Sequence, residues 1–466
     1  MNIQEITIKD LIKNKIKNLD DLAMVKRKIA KKYNISCFSN VELLKAYHRL
    51  VKTKRIKKNI NLERILRKRK IRSLSGIVIV SVLTKSYPCP GKCIYCPTEK
   101  GIPKSYLSQE PAVMRAIINK FNPYLQIQSR IKALENTGHP TDKIDIRIIG
   151  GTWSYYPKQY QSWFIKRCFQ ACNKINKTQT LKQAQKINEK AKHRIIGITI
   201  ETRPDFINIK EIKRLRSLGI TKVELGVQNI YDDILKLNKR GHNVKDLISA
   251  TKLLKNTGFK ICYQTMPNLP GSNLKRDKQM FNELFKNPDF KPDFLKIYPL
   301  ALLKETPLYN LRKKLKYKSY SLKDLTKLLK EIKKQVPYYC RIQRIIRDFP
   351  SLKIIEGGVK VSNLRQIIDK EMKKENWQCR CIRCREIKEN YNPKEKLYLF
   401  KKVYQASKGK EIFLSFENKE QTKLYSLLRL RLPGKYIIPV LKNSSIVREI
   451  HTYGQLVPIS KKGLSP

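Results

Sequence analysis

Five short apolar runs follow one another through the middle of the chain: Ile144–Thr152, Ile195–Arg203, Lys222–Asn229, Phe259–Pro267 and Phe294–Pro299. Each ends in polar or glycine residues. Between them lie Tyr160–Cys172, Ile209–Leu218, Val244–Leu254 and Lys275–Leu284, whose apolar residues recur at helical spacing. Strands alternating with one-sided helices predict a parallel sheet, doubly wound or curled into a barrel. With Gly76–Leu83 as a first strand there are about six repeats, enough for a partial (β/α) barrel. After Tyr391 the pattern changes to antiparallel-looking strands, Glu411–Glu417, Leu424–Leu432 and Ser445–Tyr453, which predict a separate α+β module. Only about seventy residues remain for it, a small allotment for an independent core.

In parallel barrels the reactive side chains sit in the loops after the strands. The first predicted strand leads into three cysteines, the next ends in Gly150-Gly151-Thr152, and the third ends in Glu201-Thr202-Arg203-Pro204. Glu224 and Gln228 flank Gly226 on the fourth, and Gln264 and Met266 lie on the fifth. Paired glycines let a ligand's amino group approach the backbone closely. Glu201 has two readings that stay open, a carboxylate tied to Arg203 and a ligand for a ribose or amino group.

Composition adds a partner. The chain of 466 residues carries 100 Lys+Arg against 38 Asp+Glu, a formal net charge of +62. Such an excess points to a polyanion. A Lys-, Ile- and Asn-rich composition supplies part of it, yet Lys52 to Arg72 holds eleven basic residues against the single acid Glu63, on a segment whose Ile56, Ile60, Leu62, Ile65, Leu66 and Ile71 make an apolar face. Phosphates suit that surface, and its lack of Trp or Phe argues against membrane adsorption. Met1 to Asp10 has no apolar signal core, and no run approaches a membrane span. Eleven cysteines without a secretory signal therefore predict reduced thiols in the cytoplasm.

The cysteines carry the most specific signal. Ser86 to Glu99 places Cys89, Cys93 and Cys96 in a C-x₃-C-x₂-C spacing. Three thiolates leave one iron of a [4Fe-4S] cluster open to an outside ligand, and S-adenosylmethionine in that position yields a 5′-deoxyadenosyl radical. The alternative, a zinc ribbon, wants a further C-x₂-C or His pair nearby, and none follows. The spacing resembles that of the radical SAM superfamily. Cys379, Cys381 and Cys384 form a second set within six residues, read as a candidate zinc site whose fourth ligand is open between Cys340, a water and none. Arg380, Arg383 and Arg385 alternate with these thiols and could present guanidinium groups to phosphate.

At this level the chain resembles the elongator protein 3 family from about Ile71 to about Ile459. The match rests on I-R-S-L-S-G-I-V-I-V (71–80), Q-E-P-A-V-M-R-A-I (109–117), F-N-P-Y-L-Q (121–126), I-I-G-G-T (148–152), I-T-I-E-T-R-P-D (198–205), V-E-L-G-V-Q (223–228) and N-K-R-G-H (238–242). It continues in C-R-C-I-R-C-R-E (379–386), G-K-E-I-F-L-S-F-E (409–417), L-L-R-L-R-L-P (427–433) and I-V-R-E-I-H-T-Y-G (446–454). The resemblance implies a radical SAM domain joined to a Gcn5-related acetyltransferase domain, with Cys89, Cys93 and Cys96 on the cluster. It implies that Lys143 and the segment Glu449, Ile450, His451 and Thr452 meet acetyl-CoA as co-substrate. The implied reaction attaches the acetyl methyl carbon to C5 of uridine 34, giving 5-carboxymethyluridine in tRNA held by its anticodon stem-loop, with an external electron donor; accessory subunits are left open.

The expected division is a basic tRNA-binding segment over 1–75, a radical SAM domain over 76–335, a Cys-rich zinc linker over 336–395 and an acetyltransferase domain over 396–466. The family's Q-x-x-G-x-G loop has no counterpart after Pro458, so this last domain is expected to be cut short. The gap between the first two cysteines is also more compact than in many relatives. Two other readings stay open: a radical SAM enzyme acting on another RNA without acetyl-CoA, and a tRNA-binding remnant.

Overall fold

The computed structural model describes residues 2–67, 73–175, 180–388, 392 and 394–454. The last residues of the basic segment (68–72), the change of pattern at Tyr391 and the C-terminal residues 455–466 lie outside them. No helix among the described residues is long and apolar enough to cross a membrane.

Seven strands form one all-parallel sheet in simple chain order: β1 (Val78–Leu83), β2 (Lys143–Ile149), β3 (Arg194–Thr202), β4 (Lys222–Gln228), β5 (Lys260–Thr265), β6 (Phe294–Ile297) and β7 (Arg341–Ile345). Each is joined to the next through helices, as a parallel ladder requires. Alternation sorts the side chains. Val78, Val80 and Val82 on β1, with Ile144, Ile146 and Ile148 on β2, enter the main apolar core. The opposite face of the sheet, the lumen, carries Arg147, Glu201, Glu224, Gln264 and Lys296. The expected partial barrel is present, with seven strands rather than about six. The extra one, β7, comes from the stretch read as a Cys-rich linker and pairs in parallel with β6.

The described part of the N-terminal segment is helical and has a core of its own. Helices α1 (Ile3–Lys13), α2 (Leu19–Lys32), α3 (Asn40–Lys52) and α4 (Ile60–Leu66) bury Ile8, Leu11, Leu22, Ile29, Leu43, Leu44, Tyr47 and Leu50 in a core of their own. Capping boxes at Asn18/Asp21 and Ser39/Glu42 start α2 and α3 by satisfying the free N–H groups of their first turns. The expected apolar face over residues 52–72 is only partly realised. Leu62, Ile65 and Leu66 are buried, Ile60 is 72% exposed, and the exposed Lys52, Lys54, Arg55, Lys57 and Lys58 surround the turn before α4.

The C-terminal unit is a four-stranded antiparallel sheet in the order β11-β10-β9-β8, where β8 is Tyr398–Ala406, β9 Gly409–Glu417, β10 Leu424–Leu432 and β11 Ile446–Thr452. It does not stand alone. Arg448 on β11 and Arg431 on β10 reach Glu411 on β9, and Arg448 also pairs with Asp293 in the loop before β6. Lys255 lies 3.4 Å from Asp293, and all of these groups are buried. Single buried charges are costly, so the network fixes how the two sheets meet.

Candidate functional site

The loop after β1 carries Cys89, Cys93 and Cys96 to the C-terminal mouth of the barrel. It is pinned from below, because Ile94 N–H donates to the Asn238 carbonyl (3.3 Å) and Lys104 Nζ donates to the Gly91 carbonyl (2.7 Å). Hydrogen bonding from Cys96 and the Arg240 guanidinium, 3.5 Å away, hold the Cys93 thiol down to about 4, whereas its bond to Cys93 and burial push Cys96 up. The lowering favours the thiolate, the form that ligates iron. No cysteine among the described residues is in a disulfide.

Gly150 and Gly151 follow β2 with φ of +131° and +106°, conformations that an L side chain rarely adopts. A Cβ on Gly150 would sit 2.0 Å from Thr84 Oγ1 at the end of β1, so only glycine closes the two strand ends together. Thr152 leads from them into the short turn Trp153–Tyr155.

Within the lumen, Glu201 and Glu224 stand on adjacent strands in register. Glu201 accepts from Tyr106 Oη (2.7 Å), Arg147 Nη2 (2.9 Å) and Gln264 Nε2 (3.2 Å). Glu224 accepts from the same Arg147 (3.1 Å) and Gln264 (3.0 Å), and pairs with Lys296. Burial pushes the Glu224 carboxyl up, but Arg147 and Lys296 outweigh it and hold the group well below the carboxylate range. Of the two readings of Glu201, the Arg203 pairing is not realised. Arg203 turns to Asp205 (2.7 Å) and to the Gly241 carbonyl (2.9 Å) instead. Arg147, Lys296 and Tyr106 are not singled out by the sequence motifs, although a charged residue inside an otherwise apolar run marks both Arg147 and Lys296, and Arg240 lies in N-K-R-G-H without a role read for it.

The opposite, N-terminal mouth opens on a cavity of about 920 Å³. Asp145, Lys222, Phe294 and Gln343 line it from the barrel, and Glu449, Ile450, His451 and Tyr453 face them from β11 and just beyond. Burial pushes the Glu449 carboxyl up, but Lys260 and Arg429 hold it at about 2, and it accepts from Arg429 Nε at 2.7 Å. His451 stacks on Tyr453, their centroids 4.3 Å apart. Lys143 stands at this end of β2 beside Arg194, at the opposite end of the strand from Gly150. Lys143 and Thr452 are outside the cavity lining.

The second cysteine set is compact. The sulfurs of Cys379, Cys381 and Cys384 all lie within 4.8 Å of one another. Cys340 is not a member, although its carbonyl accepts from Ile382 N–H next to the set. Lys333 Nζ lies 3.8 Å from Cys384 Sγ and 2.9 Å from Asp369. The expected row of three free guanidinium groups is corrected. Arg385 is buried on Glu417 and the Tyr338 carbonyl, Arg383 donates to the Gln343 carbonyl, and Arg380 is exposed.

A partial parallel barrel with a three-cysteine loop after its first strand is the architecture of a radical SAM enzyme. The chain matches the Radical SAM superfamily over residues 83–284 and the Radical_SAM C-terminal domain over 292–374. It is 45% identical over 410 residues to a tRNA uridine(34) acetyltransferase of Methanocaldococcus jannaschii, covering 85% of this chain and 75% of that protein. It is 36% identical over 487 residues to Elongator complex protein 3 of Homo sapiens, covering 98% and 86%. The solved Elp3 of Methanocaldococcus infernus with an N-terminal deletion superposes with a TM-score of 0.72 at 41% identity, covering 83% and 85%. The chain belongs to the Elongator complex protein 3 (tRNA uridine(34) acetyltransferase) family. A radical SAM domain implies a [4Fe-4S] cluster and S-adenosylmethionine, and three free cysteines with Arg240 beside Cys93, next to the strained glycines at the same mouth, suit both.

Proposed function

We propose that this protein modifies uridine 34 of tRNA at C5 with a group drawn from acetyl-CoA, giving 5-carboxymethyluridine. The observation that carries the reading is one lumen with two mouths: the cysteines and glycines at one, and the cavity faced by β11 at the other. When bound, the cluster and S-adenosylmethionine supply a hydrogen-abstracting carbon radical. Cys89, Cys93 and Cys96 hold the cluster, and Gly150, Gly151 and Thr152 with Glu201, Glu224 and Gln264 hold S-adenosylmethionine. Acetyl-CoA lies in the N-terminal cavity against Glu449, Ile450 and His451, with Lys143 and Thr452 at its edge. The four expected divisions of the chain describe the roles of its parts, with β7 extending the barrel into the third. An external reductant and no membrane complete the scheme.

Trideuterated acetyl-CoA tests this chemistry. Anaerobically reconstituted protein with tRNA and a reductant is expected to place deuterium from the acetyl methyl into 5′-deoxyadenosine. Undeuterated 5′-deoxyadenosine formed at the same rate would contradict the role of acetyl-CoA.

The basic turn before α4 and the exposed Arg380 bind the anticodon stem-loop through phosphates. Replacing Lys54, Arg55, Lys57 and Lys58 together by alanine is expected to weaken tRNA binding and flatten its salt dependence, the logarithmic slope falling by roughly 0.9 for each phosphate no longer neutralised. Filter binding between low and moderate salt measures that slope, and an unchanged slope would place the tRNA elsewhere on the surface.

Cys379, Cys381 and Cys384 hold a structural zinc, supplying three of the four ligands that its tetrahedral preference asks for. Purified protein is expected to release one equivalent of zinc to a chelator under denaturing conditions, and Cys381→Ser to release almost none. Equal zinc from both proteins would reject the site.

A further inference from the structure

Strand alternation places pairs of residues two apart on one face, about 6.6 Å from each other along the strand. Asp145 and Arg147 on β2, Lys222 and Glu224 on β4, and Phe294 and Lys296 on β6 are three such pairs on the lumen face. The first member of each lines the N-terminal cavity. The second members touch one another: Lys296 pairs with Glu224, and Arg147 Nη2 donates to Glu224 Oε2 (3.1 Å) and to Glu201 Oε1 (2.9 Å). From Glu201 the network passes to Tyr106, in the segment that follows the cysteine loop. It therefore stands between the cavity and the cysteines, one step up the lumen from the cavity's own lining.

The network is buried and incompletely satisfied. Lys296 is 2% and Glu224 1% exposed. Arg147 Nε, a donor, and Glu224 Oε1, an acceptor, have no hydrogen-bond partner, and the donor is the one that a carbonyl oxygen can satisfy. A buried polar atom without a partner costs about 1–3 kcal/mol, and such atoms mark places where a ligand or water belongs. The charges are already balanced, two cations against Glu201 and Glu224. Arg147 and Lys296 are both donors, and a neutral, polarised carbonyl oxygen can accept from them without bringing a charge of its own. The cavity below is of the size that holds a cofactor-sized molecule.

We propose that Lys296 and Arg147 form an acyl subsite: the carbonyl oxygen of a thioester, carried on a long arm from the N-terminal cavity, accepts hydrogen bonds from them, with its methyl directed toward Gly150 and Gly151. This assignment rests on the acetyl-CoA reading given above. Lys296 and Arg147 are then residues that contact the co-substrate, Gln264 orients both carboxylates, and the cavity holds the rest of the thioester.

The test compares acetyl-CoA with CoA by calorimetry on the reconstituted full chain. The unmodified protein is expected to prefer acetyl-CoA roughly tenfold, the size of one hydrogen bond to a charged group. Lys296→Met is expected to lose that preference, and Lys296→Arg to keep it. A preference retained in Lys296→Met would overturn the subsite. A second readout needs no variant: the infrared carbonyl stretch of acetyl-CoA labelled with ¹³C at the carbonyl should move to lower frequency on binding, and a band at its free position would also overturn it. Binding of both ligands without preference in the unmodified protein rejects the acyl subsite alone. Binding of neither rejects the acetyl-CoA reading itself.

Discussion

Cys93→Ala is expected to abolish iron–sulfur loading and reductive cleavage of S-adenosylmethionine while leaving the fold intact. Cys93 lies in the loop at the barrel mouth, where hydrogen bonding from Cys96 and the Arg240 guanidinium lower the pKa of its thiol. A [4Fe-4S] cluster held by three cysteines has no spare protein ligand, so removing one leaves two open irons and a labile cluster. Cys168 and Cys172 supply the control. They are fully buried among apolar residues of the Lys158–Asn173 helix, and burial pushes both thiols up. Protonated buried thiols are inert structural groups. Anaerobic reconstitution followed by iron and sulfide analysis should therefore give background iron for Cys93→Ala and a full complement for Cys168→Ala. Full iron in Cys93→Ala would move the cluster away from this loop.

Arg448→Met is expected to cause the largest loss of stability of any single change between the two sheets, about 3–5 kcal/mol, because it strands buried carboxylates. Arg448 joins Asp293 and Glu411 across the sheet boundary, and its Nη2 also donates to the Phe259 carbonyl at 2.7 Å. Burial raises both carboxyls, but Arg448 and Lys255 more than reverse it, holding Asp293 far below and Glu411 below the ordinary value. The folded state therefore binds fewer protons at these groups than the unfolded chain. Their stabilisation is fully present above the unfolded pKa near 4 and is lost as pH falls below it toward the folded values. Urea unfolding from pH 7 downward should show the unmodified protein weakening below about pH 4. Arg448→Met should be weaker at pH 7 with a shallower acid dependence, and equal stability of the two proteins at pH 7 would show that the network does not hold the sheets together.

The barrel is largely legible in the sequence because its strands are buried on both faces of a helix-wrapped sheet. Such strands read as near-continuous apolar runs, and their polar ends name the mouth. β7 is not, since Arg341-Ile342-Gln343-Arg344-Ile345 is short and its polar residues line the charged lumen and cavity rather than an apolar layer. β8 is hidden because alternate residues are exposed on an edge strand carrying Lys401 and Lys402. In the N-terminal domain the charge run is the conspicuous feature, whereas the caps at Asn18 and Ser39 are the better signal for helices with a shared core. The cysteines and glycines announce themselves by spacing. Glu201 does not reveal its partner, because Arg203 is two residues away in sequence but Arg147 is one strand away in the lumen. Periodicity reports which face a side chain occupies, and only the closed sheet reports what it meets there.

The most direct measurement of the whole account is nucleoside mass spectrometry of tRNA incubated with the reconstituted chain, S-adenosylmethionine, acetyl-CoA and a reductant under anaerobic conditions. 5-Carboxymethyluridine is expected at position 34, absent when acetyl-CoA is omitted and absent with Cys93→Ala. Cleavage of S-adenosylmethionine with uridine 34 left unmodified would contradict it.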